Sequence, residues 1–331
     1  GAKLDSALTH LGSIVDAVTA VSEEVNGITT DLEALNGLTD DILALKVEVP
    51  APTWKPRFPG DTKPGTIRWG CSYNSNAVPT PHETAAGRPV GVRRTFWDLS
   101  KASSLLTTVK ADHAAGRVPW VSIKLGTTWK LAAAGSVDAA LTKLIADLKA
   151  TGKPVWFSVH HEPEGGNGTA YPDDGQGTEV DWRNMQKHVR ALIGPIGTTN
   201  IAFASTLMAW TFDTRSGRKP ADWWVDGIWD FAGIDNYVEA DATTVQSGMW
   251  KATLAFYQGK GLPIALGEWG NKDHTATGAA EMQDWYNHLI SIGSPGACYF
   301  DTSLNGGVPL SAEALVKFRE LMKAPTSVTG V

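Results

Sequence analysis

The sequence predicts a (β/α)8 TIM barrel preceded by an N-terminal α-helical coiled coil. Three observations lead there. Between residues 65 and 323, short apolar runs alternate eight times with helix-patterned segments, which is the order of a closed parallel barrel. Two of those runs stop abruptly at ionisable residues: Val155-Trp156-Phe157-Ser158-Val159 runs into His160-His161-Glu162, and Leu262-Pro263-Ile264-Ala265-Leu266 runs into Gly267-Glu268-Trp269-Gly270. Before residue 50 the period changes. Leu4, Leu11, Val18, Val25 and Leu32 fall at one heptad position, and Ala7, Ile14, Val21, Ile28, Leu35 and Ile42 fall three residues later.

That 3-4 spacing over residues 4–42 is a coiled-coil seam, and Ile-rich d positions opposite Leu or Val at a favour a homotrimer. Asn26-Gly27 and Asn36-Gly37 are poor helix formers, so breaks are expected there. Residues 1–48 are read as the oligomerisation stalk. Residues 49–64 are read as a Pro-rich linker, because Pro50, Pro52, Pro56, Pro59 and Pro64 exclude regular structure and stiffen the chain. The barrel is expected over 65–323, with a short tail at 324–331.

Within the barrel the expected strands are 66–73, 90–96, 118–125, 155–159, 201–205, 228–234, 262–266 and 297–300. The expected helices are about 100–115, one presenting Leu141, Leu144, Ile145 and Leu148 on one face, 179–193, 243–257, 279–291 and 311–322. A doubly wound open sheet would carry a Gly-rich phosphate turn after its first strand, and Gly70-Cys71-Ser72 is not one.

Composition narrows the function. The 331 residues are 42% hydrophobic with 14 tryptophans and a net charge of −6. Nine acids and two bases fall in the first 50 residues, so the remainder is nearly neutral and has no basic patch for nucleic acid. No apolar run reaches the roughly 18 residues of a membrane span. The chain opens on Gly1-Ala2 without an initiating Met or a signal-peptide pattern, and is read as a processed product or an expressed fragment.

The candidate chemistry lies at the two strand ends. In a parallel barrel, carboxyl ends of strands face one cavity. Two carboxyls there can divide acid and nucleophile roles at a glycosidic bond, Glu162 as acid/base and Glu268 as nucleophile, with about 5–5.5 Å between them for a retaining reaction. His161 would orient or charge-stabilise the site. Trp97, Trp129, Trp210 and Trp269 lie at or just past strand ends, where flat rings can stack on sugars. Asp173-Asp174 lack the ligand spacing of a Ca²⁺ loop. His160 and His161 are adjacent on a strand and point apart, which rules out a shared zinc and leaves His160 packed behind the site. Arg68 and Arg93 either reach the cavity or bridge carboxylates below it. Cys71, near the top of its strand, and Cys298, near the bottom of the neighbouring one, are expected to stay free thiols.

These motifs resemble those of clan A barrel glycosidases. His161-Glu162 resembles the His-Glu of glycoside hydrolase family 26, Gly267-Glu268-Trp269-Gly270 resembles its nucleophile strand end, and Gly233-Ile234-Asp235-Asn236-Tyr237 resembles the end of its sixth strand. The resemblance spans about 65–323. It implies retaining, endo-acting hydrolysis of β-mannans or related β-glycans without a metal or other cofactor, and it implies that Tyr237 contacts Glu268. Two positions depart from the pattern: Ser158 stands where family members often carry Arg, and Tyr299-Phe300-Asp301 lacks the Trp common in the clan. An acidic coiled coil, a proline-rich spacer and a glycan-cleaving barrel together resemble phage tail fibres and minor tail proteins. That likeness implies a place on a virion, or otherwise outside a cell, and other tail proteins as possible partners. The alternatives are a secreted bacterial glycanase on an oligomerisation stalk and a non-catalytic glycan-binding module on the same barrel.

Overall fold

In the computed structural model the chain divides into two compact units, Gly1–Trp54 and Lys55–Val331. The structure describes residues 1–44, 54–165, 175–238, 245–271, 278–304 and 308–331. Much of the expected linker, part of the Gly-rich loop with Asp173 and Asp174, and the start of the helix expected from Thr243 lie outside the described residues.

The first unit is one helix, α1 (Ala2–Ala44). It runs unbroken through Asn26-Gly27 and Asn36-Gly37, against expectation. A glycine costs about 1 kcal/mol in a helix, too little to interrupt one this long. Its seam is uncovered: the large apolar residues from Leu4 to Leu38 are 54–66% exposed.

The second unit is a closed parallel barrel in chain order. Its strands are β1 (Arg68–Tyr73), β2 (Val92–Asp98), β3 (Val118–Lys124), β4 (Val155–Val159), β5 (Ile201–Met208), β6 (Phe231–Val238), β7 (Ile264–Asn271) and β8 (Gly296–Asp301). Around them lie α2 (Thr80–Ala86), α3 (Ala102–Ala114), α4 (Trp129–Ala133), α5 (Asp138–Lys149), α6 (Glu179–Ile193), α7 (Gly248–Gly259), α8 (Gly278–Ser291) and α9 (Ala312–Lys323). The two short helices α2 and α4 carry too few apolar repeats to be legible as period. β5, β6 and β7 extend three to five residues past their expected ends. Their last residues are polar and read as loop, but at a barrel mouth polar strand ends face the cavity.

Strand alternation separates two cores. Leu141, Leu144, Ile145 and Leu148 of α5, and the outward residues of the strands, fill the space between sheet and helices. Inside the barrel, Val92, Val118, Trp120, Trp156, Ala202, Ala204, Phe231, Ala265 and Cys298 form a second cluster. Two indoles fit because glycines face them. A Cβ on Gly296 would lie 2.9 Å from the Trp156 ring, and one on Gly233 would lie 2.9 Å from the Trp120 ring.

The bottom of the barrel is closed by segments expected to be linker and tail. Phe58 is 3% exposed and stacks on Phe231 at 4.9 Å, and the Pro59 carbonyl accepts from Trp156 Nε1 at 3.1 Å. Val328 N–H donates to the Ile67 carbonyl at 2.9 Å, and Gly330 N–H to the Gly116 carbonyl at 2.7 Å. The barrel unit thus begins before residue 65 and continues past 323: the aromatic plug and the tail's backbone cover what would otherwise be an open apolar end.

Arg68 and Arg93 both serve this lower part. Arg68 donates to the Gly60 and Gly330 carbonyls at 2.8 and 2.9 Å. Arg93 pairs with Asp112, which also holds Arg117. Cys71 and Cys298 are free and buried, but not because they lie at different heights. Cys298 pairs in register with Gly70, the neighbour of Cys71. Cys71 points to the outer core and Cys298 into the barrel, so the sheet itself separates the two sulfurs.

Candidate active site

Two local irregularities aim the glutamates. After β4 the backbone turns left-handed at His160 and again at Glu162, both at φ +50°, a conformation that costs about 1–3 kcal/mol per non-glycine residue. Three hydrogen bonds hold it: His160 N–H to the Ile123 carbonyl at 2.9 Å, Glu162 N–H to the Thr206 carbonyl at 2.8 Å, and Gly165 N–H to the Glu162 carbonyl at 2.9 Å. The twist sends His160 back onto Trp129, with ring centroids 6.0 Å apart, and leaves His161 against Phe96 at 5.2 Å. His160 is packed as expected. Its Nε2 accepts from Leu125 N–H at 3.2 Å, and burial beside the charge of Lys124 pulls its pKa down to about 3, so the ring is neutral.

The second irregularity is a bulge in β7. Ile234 pairs with Leu266 but Asp235 pairs with Glu268, which leaves Gly267 as the extra residue. One extra residue reverses the in-out parity of everything after it. Ala265 faces the barrel interior and Leu266 the outer core; past the bulge Glu268 faces the mouth and Trp269 the outer core. Gly267 also makes room for the site's cation. A Cβ there would lie 2.3 Å from Arg94 Nη1.

Arg94, on β2, is fully buried. It donates to Asp235 Oδ1 at 2.5 Å and to Ser122 Oγ at 3.1 Å, and its Nη1 lies 3.4 Å from Glu268 Oε1. Tyr237 donates its hydroxyl to Glu268 Oε2 at 2.6 Å. Burial and the neighbouring Glu268 charge raise the phenol's pKa far above normal, so it remains a donor. Each Glu268 oxygen therefore faces a donor or a cation. One carboxylate oxygen from each of Glu162, Asp235 and Glu268 lies within 4.8 Å of the other two. Burial first, then the charges of Glu268, Asp235 and Glu164, push the Glu162 carboxyl well above the usual range. His161, desolvated and close to Arg94, is held neutral. Three carboxylates at this range resemble a cation site, but Arg94 already places a permanent positive charge among them.

The tryptophans divide differently from expectation. Trp129 is fully buried and packs on Trp223. Trp269 is 4% exposed and packs on Trp69 and Tyr299. Trp97 turns outward against the helix layer, its Nε1 donating to Thr95 Oγ1 at 2.8 Å. Burial or outward packing removes all three from a sugar cleft. Trp210 remains, 40% exposed in the turn after β5. The aromatic collar of the mouth is instead Phe96, Phe300 and Tyr237, with Phe96–Phe300 at 6.1 Å and Tyr237–Phe300 at 5.9 Å, both edge to face.

Arg94, Asp235, Phe96 and Phe300 were not singled out from the sequence. Alternation offered a signal for two of them. Of Arg93 and Arg94 on one strand, one must face in, and Phe96 shares the face of Arg94. Ser158 lies below the site and accepts from Trp120 Nε1 at 2.9 Å.

No protein-family model matches the chain, and no curated protein matches it. Solved structures do. The glycoside hydrolase family 26 domain of an endo-β-mannanase/endo-β-glucanase from Prevotella bryantii superposes with a TM-score of 0.56 at 13% identity, covering 82% of this chain and 98% of that one. A family 26 β-mannanase from Bacteroides ovatus gives 0.53 at 14%, covering 80% and 91%. A fungal β-1,4-galactanase structure gives 0.53 at 13%, covering 77% and 99%. At such identities the likeness establishes the barrel fold.

Proposed function

We propose that this chain is a retaining, endo-acting glycoside hydrolase for a β-linked polysaccharide, mannan-like or a host-envelope glycan, carried on a self-associating helical stalk. The observation that carries the reading is the pair Glu162 and Glu268, with carboxylate oxygens within 4.8 Å of each other and opposite surroundings. Inverting enzymes hold their carboxyls roughly 6.5–9.5 Å apart to admit a water, so the close approach of these two carboxylates supports the retaining reading. The neighbours named above, mannanases and galactanases on the same barrel, support the substrate class.

In the first step Glu268 attacks the anomeric carbon, the glycosidic C–O bond breaks, and Glu162 gives its proton to the departing oxygen. The product is a glycosyl ester on Glu268. In the second step Glu162, now ionised, takes a proton from water as the water oxygen attacks the same carbon, and Glu268 leaves. Tyr237 and Arg94 fix the orientation of Glu268, and Arg94 stabilises its charge before attack and after release. No metal or cofactor enters the scheme.

The uncovered seam of α1 supports assembly. A parallel trimer of residues 4–42 would bury it, and light scattering of the full chain should report three copies; a monomer would remove the stalk from the proposal. A trimeric stalk on a glycanase fits a phage tail protein outside the cell, with other tail proteins as neighbours, and a secreted glycanase is the competing setting. The decisive experiment is incubation with β-mannan, xylan, β-glucan and envelope polysaccharides, following the first-formed anomer by NMR. Turnover with retained configuration is expected and should vanish in Glu268→Gln. Binding without turnover would leave a glycan-binding module in its place, and inverted product would overturn the pairing.

A further inference from the structure

Glu164 lies two residues past Glu162 in the same turn and is fully buried. A carboxylate is rarely buried without a task. Its Oε1 accepts from Met208 N–H at 2.7 Å and from Thr211 Oγ1 at 2.9 Å. These donors bracket Trp210 at the end of β5. Its Oε2 has no hydrogen-bond partner among the described residues. One carboxyl group thus ties the loop carrying Glu162 to the turn carrying the exposed indole, and its second oxygen points into protein.

We propose that Glu164 is a positioning residue for Glu162: it anchors the acid's loop to the end of β5, and its charge keeps the proton on Glu162. The kinetic part of this proposal rests on the hydrolytic reading above; the electrostatic part does not. The surroundings fit. The charged and titratable groups around Glu164 are Glu162 on its own loop, Asp235 on β6, Tyr257 on α7 and Arg218 in the segment after β5. Burial raises the Glu164 pKa to about 7, against the hydrogen bonds from Met208 and Thr211 and the charge of Arg218. Tyr257 is held neutral by burial, with the Glu164 charge adding to the effect. The Glu164 charge raises Glu162 further, as do those of Glu268 and Asp235, while Arg94 opposes them. The sign follows. As pH rises through about 7, Glu164 ionises, and the added negative charge makes loss of the Glu162 proton harder. The acid form of Glu162 therefore persists to higher pH than burial alone would allow.

Two variants of the full chain separate the anchor from the charge. Glu164→Gln keeps an acceptor oxygen for Met208 and Thr211 and removes the charge. Glu164→Leu removes both. Carboxyl ¹³C NMR of Glu-labelled protein, with Glu162 assigned by its loss in Glu162→Gln, measures the acid directly and needs no substrate. In Glu164→Gln the Glu162 midpoint should fall by about one to three pH units, the range for one like charge roughly 4–12 Å away at an effective dielectric constant near 20. An unchanged midpoint overturns the proposal. On whichever of β-mannan, xylan or β-glucan the wild type cleaves, the basic limb of kcat/KM should move down by the same amount in Glu164→Gln, with KM unchanged. Glu164→Leu should also raise KM several-fold, because the Trp210 turn loses its tether. A Glu164→Gln profile superimposable on wild type refutes the coupling. If no glycan is cleaved, the hydrolytic reading fails while the NMR titration still decides the role of Glu164.

Discussion

Arg94→Met is the most informative single substitution in the barrel. The methionine fills much of the arginine's volume but carries no charge. Arg94 is fully buried, contacts Asp235 at 2.5 Å and Glu268 at 3.4 Å, and lies over the rings of Phe96 and Trp120 at 5.0 and 5.2 Å. At an effective dielectric constant near 20 the 3.4 Å pair alone represents about 5 kcal/mol of gross attraction. Desolvation offsets most of that in the intact pair, so the pair contributes little net stability. Removing one partner is different, because the carboxylates remain buried and uncompensated, and the cost becomes about 3–5 kcal/mol. Burial already raises the Asp235 pKa and Arg94 opposes the rise, so Asp235 in the variant should keep its proton to still higher pH. A folded-state pKa above the unfolded value contributes stability below the unfolded pKa and loses it as pH rises. The loss should therefore be greatest at pH 8 and smaller at pH 5 by roughly 1–2 kcal/mol. Urea unfolding followed by tryptophan fluorescence is the assay, and it reports chiefly the barrel because every one of the 14 tryptophans except Trp54 lies in the second unit. A loss below about 1 kcal/mol, independent of pH, would refute the reasoning, since Arg94 would not then be compensating buried charge. Arg94→Lys keeps the charge without the planar fork and should fall between the two.

Three further outcomes follow from the same contacts. Tyr237→Phe deletes one charge-assisted hydrogen bond to Glu268, worth about 1.5–3 kcal/mol, so kcat should drop roughly 10- to 100-fold and the thermal midpoint should fall by several degrees; stopped assays and calorimetry check both. Phe58→Ala opens the barrel floor and should cost about 3–5 kcal/mol in urea unfolding, whereas a true linker residue would cost almost nothing. Trp210→Ala should raise KM on a cleaved polysaccharide and leave stability nearly unchanged, while Trp129→Ala should destabilise by about 3–5 kcal/mol; the reverse pattern would return Trp129 to the cleft.

The site was legible where it depended on local pattern and illegible where it depended on parity. Glu162 and Glu268 stand out because each interrupts an apolar run, and a run interrupted by charge marks a strand end. Trp269 looked equally well placed, yet the bulge at Gly267 turns it to the outer core as it turns Glu268 to the mouth. His160 and Glu162 adopt left-handed backbone that no residue type in His-His-Glu announces. Arg93 and Arg94 are the same residue type side by side, and although strand alternation requires the two to face opposite sides, the pair alone does not say which faces in. Phe58 was hidden among prolines, because the density of Pro50, Pro52, Pro56, Pro59 and Pro64 describes the backbone and carries no information about where one aromatic ring goes.

By itself the sequence determined the periodicities: heptads for α1, alternation of strand and helix for the barrel, and strand ends that place two glutamates at one rim. These are properties of neighbouring residues and survive without knowledge of what packs against them. Tertiary structure alone decided which face each side chain takes after a bulge or a left-handed turn, which cation lies among the carboxylates, and which segments seal the barrel floor. Each of those outcomes depends on contacts between residues far apart in the chain, such as Arg94 with Asp235 and Phe58 with Phe231, and on one inserted residue that reverses the facing of every position beyond it.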